Sequence, residues 1–201
     1  MKKLSLFTLS LFSFIVCISA QDISLPTPAK SGGMPLLDAL QQRQTVREYS
    51  GQALDKQQLS NLLWAAYGLN RADKRVVPSS QNRQEIDLYV ALSTGVYFYD
   101  AKTNALLLRQ KEVPKAAIGQ PGVTDKAALT LIYVANVDKA SNKEACYIDT
   151  GFLVQNVYLY CAANNLGSVA RGSFKSEPLR NELKLNENQI VTLVQAVGMP
   201  K

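Results

Sequence analysis

The sequence predicts an α+β domain, one mainly antiparallel sheet packed by helices. Three observations lead there. GVYFYD and ALLLRQ, at 95–100 and 105–110, flank the turn Asp100-Ala-Lys-Thr-Asn104, so the two runs pair as an antiparallel hairpin. ALTLIYVANV, 128–137, is a continuous apolar and β-branched run, the pattern of a strand buried on both faces. Helical and strand patterns intermix without regular βαβ alternation.

The elements follow in chain order. Residues 1–20 read as a signal peptide: Lys2 and Lys3 form the charged start, Leu4 to Ile18 is apolar, and Ser19-Ala20 supplies small residues for cleavage. The apolar run falls short of the roughly 20 residues a spanning helix needs. The expectation is therefore an exported protein, periplasmic or secreted, with no stable membrane insertion after cleavage. Cys17 is an alternative lipid anchor, although Val16 stands before it where a small residue is wanted. Residues 21–33 are rich in Pro, Ser and Gly and read as a flexible leader to a domain at 34–201. MPLLDALQQR, 34–43, is a short helix with Leu36, Leu37 and Leu40 on one face. Ser50-Gly51-Gln52 turns the chain. Asp55 caps the next helix with Gln58 as its capping-box partner, Leu59, Leu62, Leu63 and Ala66 form its buried stripe, and Gly68 closes it.

Residues 70–85 read as a polar loop and 86–93 as a strand leading into the hairpin. Residues 111–127 are irregular. Residues 147–164 form a helix apolar nearly all round, the mark of a buried helix for which a second subunit is a candidate cover. A loop over 165–174, a short helix over 176–183 and a final strand over 189–198 complete the chain.

Composition narrows the function. At 201 residues and 47% hydrophobic, the chain can bury one good core. Its net charge is +6, or +4 once Lys2 and Lys3 are removed. That balance suits an anionic small ligand, and no Arg/Lys stripe with interleaved aromatics points to nucleic acid. There is no histidine, which excludes Ser-His-Asp and Cys-His catalysis and every histidine-based zinc site. Cys146 and Cys161 flank one helix, roughly 22 Å apart at 1.5 Å per residue. A disulfide needs less than about 7 Å, so both are expected as free buried thiols, and no metal site is expected. Chemistry here calls for a bound cofactor.

Three segments carry hydrogen-bonding chemistry. Arg43, Gln44, Thr45 and Arg47 offer guanidinium forks and a hydroxyl, the donor set a phosphate wants; a solvated helix end is the alternative. Pro78, Ser79, Ser80 and Asn82 lie in a polar loop just before a strand. Ala170, Arg171 and Gly172 follow the apolar helix, and Gly172 could expose its backbone N–H to a flat ligand.

A short helix, an R-x-[ST]-x-R-x-[YF] run, an amphipathic helix, a PSS-x-N loop before a strand, a buried helix, a Leu-Gly…Gly segment and a last strand ending Val-Gly-x-Pro follow one another over 34–201. In that order they resemble the nitroreductase family of FMN-dependent oxidoreductases. GVYFYDAKTNALLLRQ and LVQAVGMPK look like its dehydrogenase-like branch, which includes the oxidases of thiazoline and oxazoline peptides. The resemblance implies a nitroreductase-like homodimer with FMN at the interface. It implies ping-pong hydride transfer from a reduced donor to a small acceptor such as a nitroaromatic or a quinone. By the same resemblance Arg43, Gln44, Thr45 and Arg47 hold the FMN phosphate. Pro78, Ser79, Ser80 and Asn82 contact the flavin, often from the other subunit. Ala170, Arg171 and Gly172 line the reactive edge, with Arg171 and Gly172 the catalytic candidates and Arg171 an electrostatic one. Many relatives carry a basic tail past the final strand, where this chain has Lys201. Many carry Pro and an aromatic after the loop glutamine, where this chain has Glu85 and Ile86. The rival expectation is a non-catalytic exported protein that keeps the fold and holds a small anionic or aromatic ligand.

Overall fold

The computed structural model describes residues 21–201, and the expected signal peptide lies outside the described residues. Nine strands and five helices follow one another as β1 (Ile23–Ser24), α1 (Leu36–Gln42), α2 (Lys56–Tyr67), β2 (Leu69–Arg71), β3 (Lys74–Arg75), β4 (Ile86–Leu92), β5 (Gly95–Asp100), β6 (Ala105–Gln110), α3 (Lys115–Ile118), β7 (Leu129–Asn136), α4 (Lys143–Ala163), β8 (Gly167–Arg171), α5 (Ser176–Glu182) and β9 (Gln189–Gly198). Seven strands form one sheet in the order β1-β6-β5-β4-β7-β9-β8. Every neighbouring pair in it is antiparallel.

β7 is central because both of its faces are apolar. Strand side chains alternate, so Leu131, Tyr133 and Ala135 join one core with Leu62 and Leu63 of α2 and Leu153 and Val157 of α4. Ile132 and Val134 face the other way, against Ile118 of α3 and Leu179 of α5. The capping box of α2 forms as its sequence requires: the Gln58 N–H donates to Asp55 Oδ1 at 2.8 Å and the Asp55 N–H to Gln58 Oε1 at 3.1 Å. Cys146 and Cys161 are free, buried, and both inside α4.

Several expectations change. Residues 21–33, read as a flexible leader, carry β1 onto the edge of β6, with Ile23 opposite Leu106. Pro26 O then accepts hydrogen bonds from Ser60 Oγ and Asn104 Nδ2. A two-residue strand is too short for a sequence pattern to show, and the open edge of β6 supplies its partner. α4 starts at Lys143, four residues before the apolar run, because Asn142 caps it through an Ala145 N–H bond of 2.8 Å. The polar stretch at 70–85 contains the β2–β3 hairpin, and the irregular stretch at 111–127 contains α3.

The segment at 165–174, read as a loop, contains β8, an edge strand whose polar and small residues hid its period. Gly167 opens it where a side chain has no room. A Cβ there would come within 2.7 Å of Val46 Cγ1. Gly167→Ala is therefore expected to push the 43–47 segment off β8 and to lower stability by about 1–3 kcal/mol, the usual range for overpacking. Urea unfolding of the variant measures this, and an unchanged midpoint would show that the contact yields freely.

Candidate functional site

α1 ends at Gln42 because Arg43 turns extended, with φ −57° and ψ 120°. Arg43 and Arg47 are therefore not on successive turns of one helix, the arrangement their spacing allowed. Residues 43–50 instead run as an extended segment beside the sheet. The Val46 N–H donates to Ser168 O at 2.9 Å, and the Ser50 N–H to Met199 O at 3.0 Å. Extended backbone alternates its side chains. Val46 packs inward against the small cluster of Tyr49, Val169 and Ala196, while Thr45 and Arg47 stay exposed.

Tyr158 of α4 joins this segment to β8. Its hydroxyl accepts the Ala170 N–H at 2.8 Å. Thr45 Oγ1 lies 3.5 Å from the same oxygen. The Arg43 guanidinium sits over the Tyr158 ring, 5.6 Å from its centroid. Lys201 arrives from the other side: its N–H donates to Glu48 O at 3.2 Å, and Tyr49 and Pro200 pair as an antiparallel bridge. Arg43, Gln44, Thr45, Arg47 and Lys201 are thus gathered near one end of β8 and β9. A cavity of about 490 Å³ opens beside Arg43, walled by Gln42, Gln44, Val46, Leu166 and Pro200.

The electrostatics favour an anion. Among the described residues the ion pairs are Lys74–Asp73 and Arg180–Glu177, so neither Arg43, Arg47 nor Lys201 has a carboxylate partner. The Arg43 guanidinium beside that cavity, with the Thr45 hydroxyl near, has donor chemistry that fits a phosphoester such as that of FMN, while Lys201 borders a separate cavity with Glu48 and Asp125. A buried network holds the wall still. Gln195 of β9, fully buried, accepts from Tyr133 Oη at 2.5 Å and donates to Ser168 Oγ at 2.8 Å.

β8 ends at Arg171, and Gly172 lies just beyond it. A Cβ at Gly172 would meet nothing within 4 Å, so that position borders open space beside Ala170. Arg171 itself turns inward. Nη2 donates to Ile118 O at 2.5 Å and Nη1 to Ser173 O at 3.1 Å, and Nε is buried without a partner. Burial lowers its pKa from the ordinary value, with the neighbouring Tyr49 opposing that shift. The guanidinium expected at a ligand edge is thus a clamp between β8 and the end of α3.

The second segment lies apart. The Asn82 N–H donates to Ser79 O at 2.9 Å, the Gln84 N–H to Ser79 Oγ at 3.0 Å, and the Ser80 N–H to Asp149 Oδ2 at 3.0 Å, while Pro78 is exposed. Asp149 and Tyr158 are nine residues apart on α4, roughly 13 Å along the helix. The fold brings together the first and third segments and leaves the Pro78–Asn82 loop toward the far end of α4. Sequence reasoning missed Tyr158 as the junction. No local signal singles it out, since Tyr147 and Tyr160 put the same hydroxyl on the same helix.

Tyr158→Phe is expected to leave the Ala170 N–H without its partner and to cost about 1–3 kcal/mol. Thermal unfolding and exchange of the Ala170 amide test this. A fully protected amide in the variant would remove Tyr158 from the junction.

An antiparallel α+β sheet with Arg43, free of any carboxylate partner among the described residues, beside a cavity at its edge is the class that fold and site define. The comparisons give that class its family. The model described as the nitroreductase family matches residues 40–199, and the chain belongs to that family of oxidoreductases. A Ralstonia eutropha JMP134 protein that carries the nitroreductase name is 36% identical, with 92% of each chain covered and a TM-score of 0.86. A Methanocaldococcus jannaschii protein of the same name is 28% identical over 79% of this chain and 88% of its own. Two further likenesses concern the fold alone. One is a chain of the E. coli microcin synthetase McbBCD complex, 15% identical, covering 97% of this chain and 85% of that one at a TM-score of 0.69. The other is a Desulfovibrio desulfuricans protein of the nitroreductase name, solved in complex with FMN, 21% identical, covering 84% and 88% at a TM-score of 0.64.

Proposed function

We propose that the protein is an exported FMN-dependent oxidoreductase, a homodimer that passes two electrons from a reduced donor to a small acceptor such as a nitroaromatic or a quinone. One observation carries the reading: Arg43, Thr45 and the Ala170 amide converge on Tyr158 next to the cavity that Arg43 and Gln44 line, and Arg43 has no carboxylate partner among the described residues. The family and the FMN complex of the Desulfovibrio protein supply the chemical class of the ligand.

In this reading Arg43, Arg47, Thr45, Gln44 and Lys201 hold the phosphate. Bound FMN would supply reversible hydride acceptance, which no amino-acid side chain offers. Gly172, just past the end of β8, leaves room for a flat ring beside Ala170. Arg171 keeps that edge in place by tying β8 to α3. Ser79, Ser80 and Asn82 reach a ring held by the partner copy, which suits their distance from Tyr158 within one chain. The dimer itself is supported by the surface. All six large exposed apolar side chains of the described residues, Leu36, Leu37, Leu40, Tyr147, Ile148 and Phe152, lie on α1 and α4.

The test is the absorption spectrum of the purified protein after incubation with FMN and desalting. Flavin bands near one per subunit are the expected result. A folded, colourless protein would favour the reading of a non-catalytic small-ligand binder.

A further inference from the structure

The Pro78–Asn82 loop is backed by a side-chain lock that the phosphate site does not use. Gln84, half-buried just before β4, bonds through both ends of its amide. Arg75 of β3 donates its Nε–H to Gln84 Oε1 at 3.0 Å. Gln84 Nε2 donates to Asp73 O at 2.6 Å and to Asn82 Oδ1 at 3.1 Å. Arg75 is braced in turn. Its Nη1 donates to Tyr67 O at 2.9 Å, and its guanidinium lies over the buried Tyr67 ring, 4.1 Å from the centroid.

Those partners leave the Gln84 amide one orientation. A guanidinium only donates, so it must meet the amide oxygen, and a backbone carbonyl only accepts, so it must meet the NH2 group. The choice passes to Asn82. Its Oδ1 is taken by Gln84, which leaves its NH2 group as the end presented elsewhere. Asn82 is exposed, and among the described residues its Nδ2 has no acceptor. Turning that amide over would set two NH2 groups face to face.

The backbone under the lock has supports of its own. The Asn82 N–H donates to Ser79 O, the Gln84 N–H to Ser79 Oγ and the Ser80 N–H to Asp149 Oδ2. Gln81, Asn82 and Gln84 have φ of 53°, 56° and 50°, left-handed values that non-glycine residues hold where their surroundings enforce them. The backbone bonds place the loop, and the Gln84 amide decides which end of Asn82 faces out. We infer that Gln84 and Arg75 are positioning residues that fix Asn82 as an outward hydrogen-bond donor, so that the loop selects a ligand presenting a carbonyl oxygen or an unprotonated ring nitrogen. The role in cofactor binding rests on the flavin reading above, since a flavin ring carries such acceptors; the lock itself does not.

Gln84→Glu reverses the lock at nearly constant size. The carboxylate still accepts from Arg75 but has no proton for Asn82, so Asn82 is expected to turn and present its oxygen. Exchange of the side-chain amides in flavin-free protein, followed by NMR, reads this directly. In wild type the Gln84 NH2 should be protected and the Asn82 NH2 free. In Gln84→Glu the Asn82 NH2 should slow by about tenfold, the worth of one ordinary hydrogen bond. A protected Asn82 NH2 in wild type overturns the inference, as does an unchanged one in the folded variant. Arg75→Met tests the same brace without touching the loop: the Gln84 NH2 should lose protection, and full retention would remove Arg75 from the lock.

FMN affinity supplies the functional readout. Gln84→Glu should weaken it by about tenfold. In an Asn82→Gly background, which suits the φ of 56° and removes the amide, the same change should do nothing further. An equal loss in both backgrounds would make Gln84 a scaffold only and overturn its positioning role. Wild type that takes up no FMN sinks the flavin reading instead, and the amide exchange still decides the lock.

Discussion

Protein carrying Arg43→Ala together with Arg47→Ala is expected to fold and to emerge from desalting without flavin. The two guanidinium groups are the strongest anion donors of the 43–47 segment, and neither is held by a carboxylate among the described residues. Hydrogen bonds to a charged partner contribute about 1.5–3 kcal/mol each. Losing one from each arginine should weaken FMN by roughly 100-fold or more. Stability should barely change. Arg47 is exposed, and Arg43 loses only its contact with the Tyr158 ring, about 0.5–1 kcal/mol at an exposed site. Flavin content per subunit and the unfolding midpoint decide it together. Unchanged FMN occupancy in a folded double variant sinks the phosphate assignment. Lys201→Ala should act in the same direction and more weakly, because one ammonium group is a point charge rather than a fork.

On the proposed dimer reading, Ile148→Glu combined with Phe152→Glu should convert a dimer into a monomer. These side chains are 60% and 39% exposed on a helix whose opposite face, with Leu153 and Val157, is packed in the core. Leu37 of α1 is 77% exposed, an uncommon position for a leucine in a helix that contributes only Ala39 to the interior. Burying a large apolar side chain contributes about 1.5–3 kcal/mol. Two carboxylates at the same place reverse that gain and add a desolvation cost of several kcal/mol. The monomer fold should survive, since both positions are solvent-facing in the single chain. Light scattering should report half the wild-type mass, and flavin retention should fall because the Pro78–Asn82 loop of the partner is gone. A double variant that stays dimeric would move the interface away from α4.

Much of the fold was legible because its signals are local. The period-two hairpin at 95–110, the two-faced run of β7 and the Asp55–Gln58 capping box each depend on a few adjacent residues, and each formed. β1, β8 and α3 were not legible. They are short and partly polar, and a longer neighbour decides their conformation: β6 for β1, β9 for β8 and α5 for α3. The leucines of α1 were legible as one face, but not as a face turned away from their own chain.

The candidate site divides along the same line. The residue types of an anion cradle, and the absence of histidine that excludes histidine-based catalysis, stand in the sequence alone. Which donors meet is a tertiary matter. Arg43 and Arg47 reach the cleft along an extended segment, not a helix face, because α1 stops at Gln42. Arg171 faces inward because α3 presents a carbonyl to it. Tyr158 and Asp149 acquire their partners only when α4 packs beside β8 and the 78–82 loop. Local pattern is written in neighbouring residues, whereas the partner of a buried hydroxyl or carboxyl is chosen by packing between elements far apart in the chain.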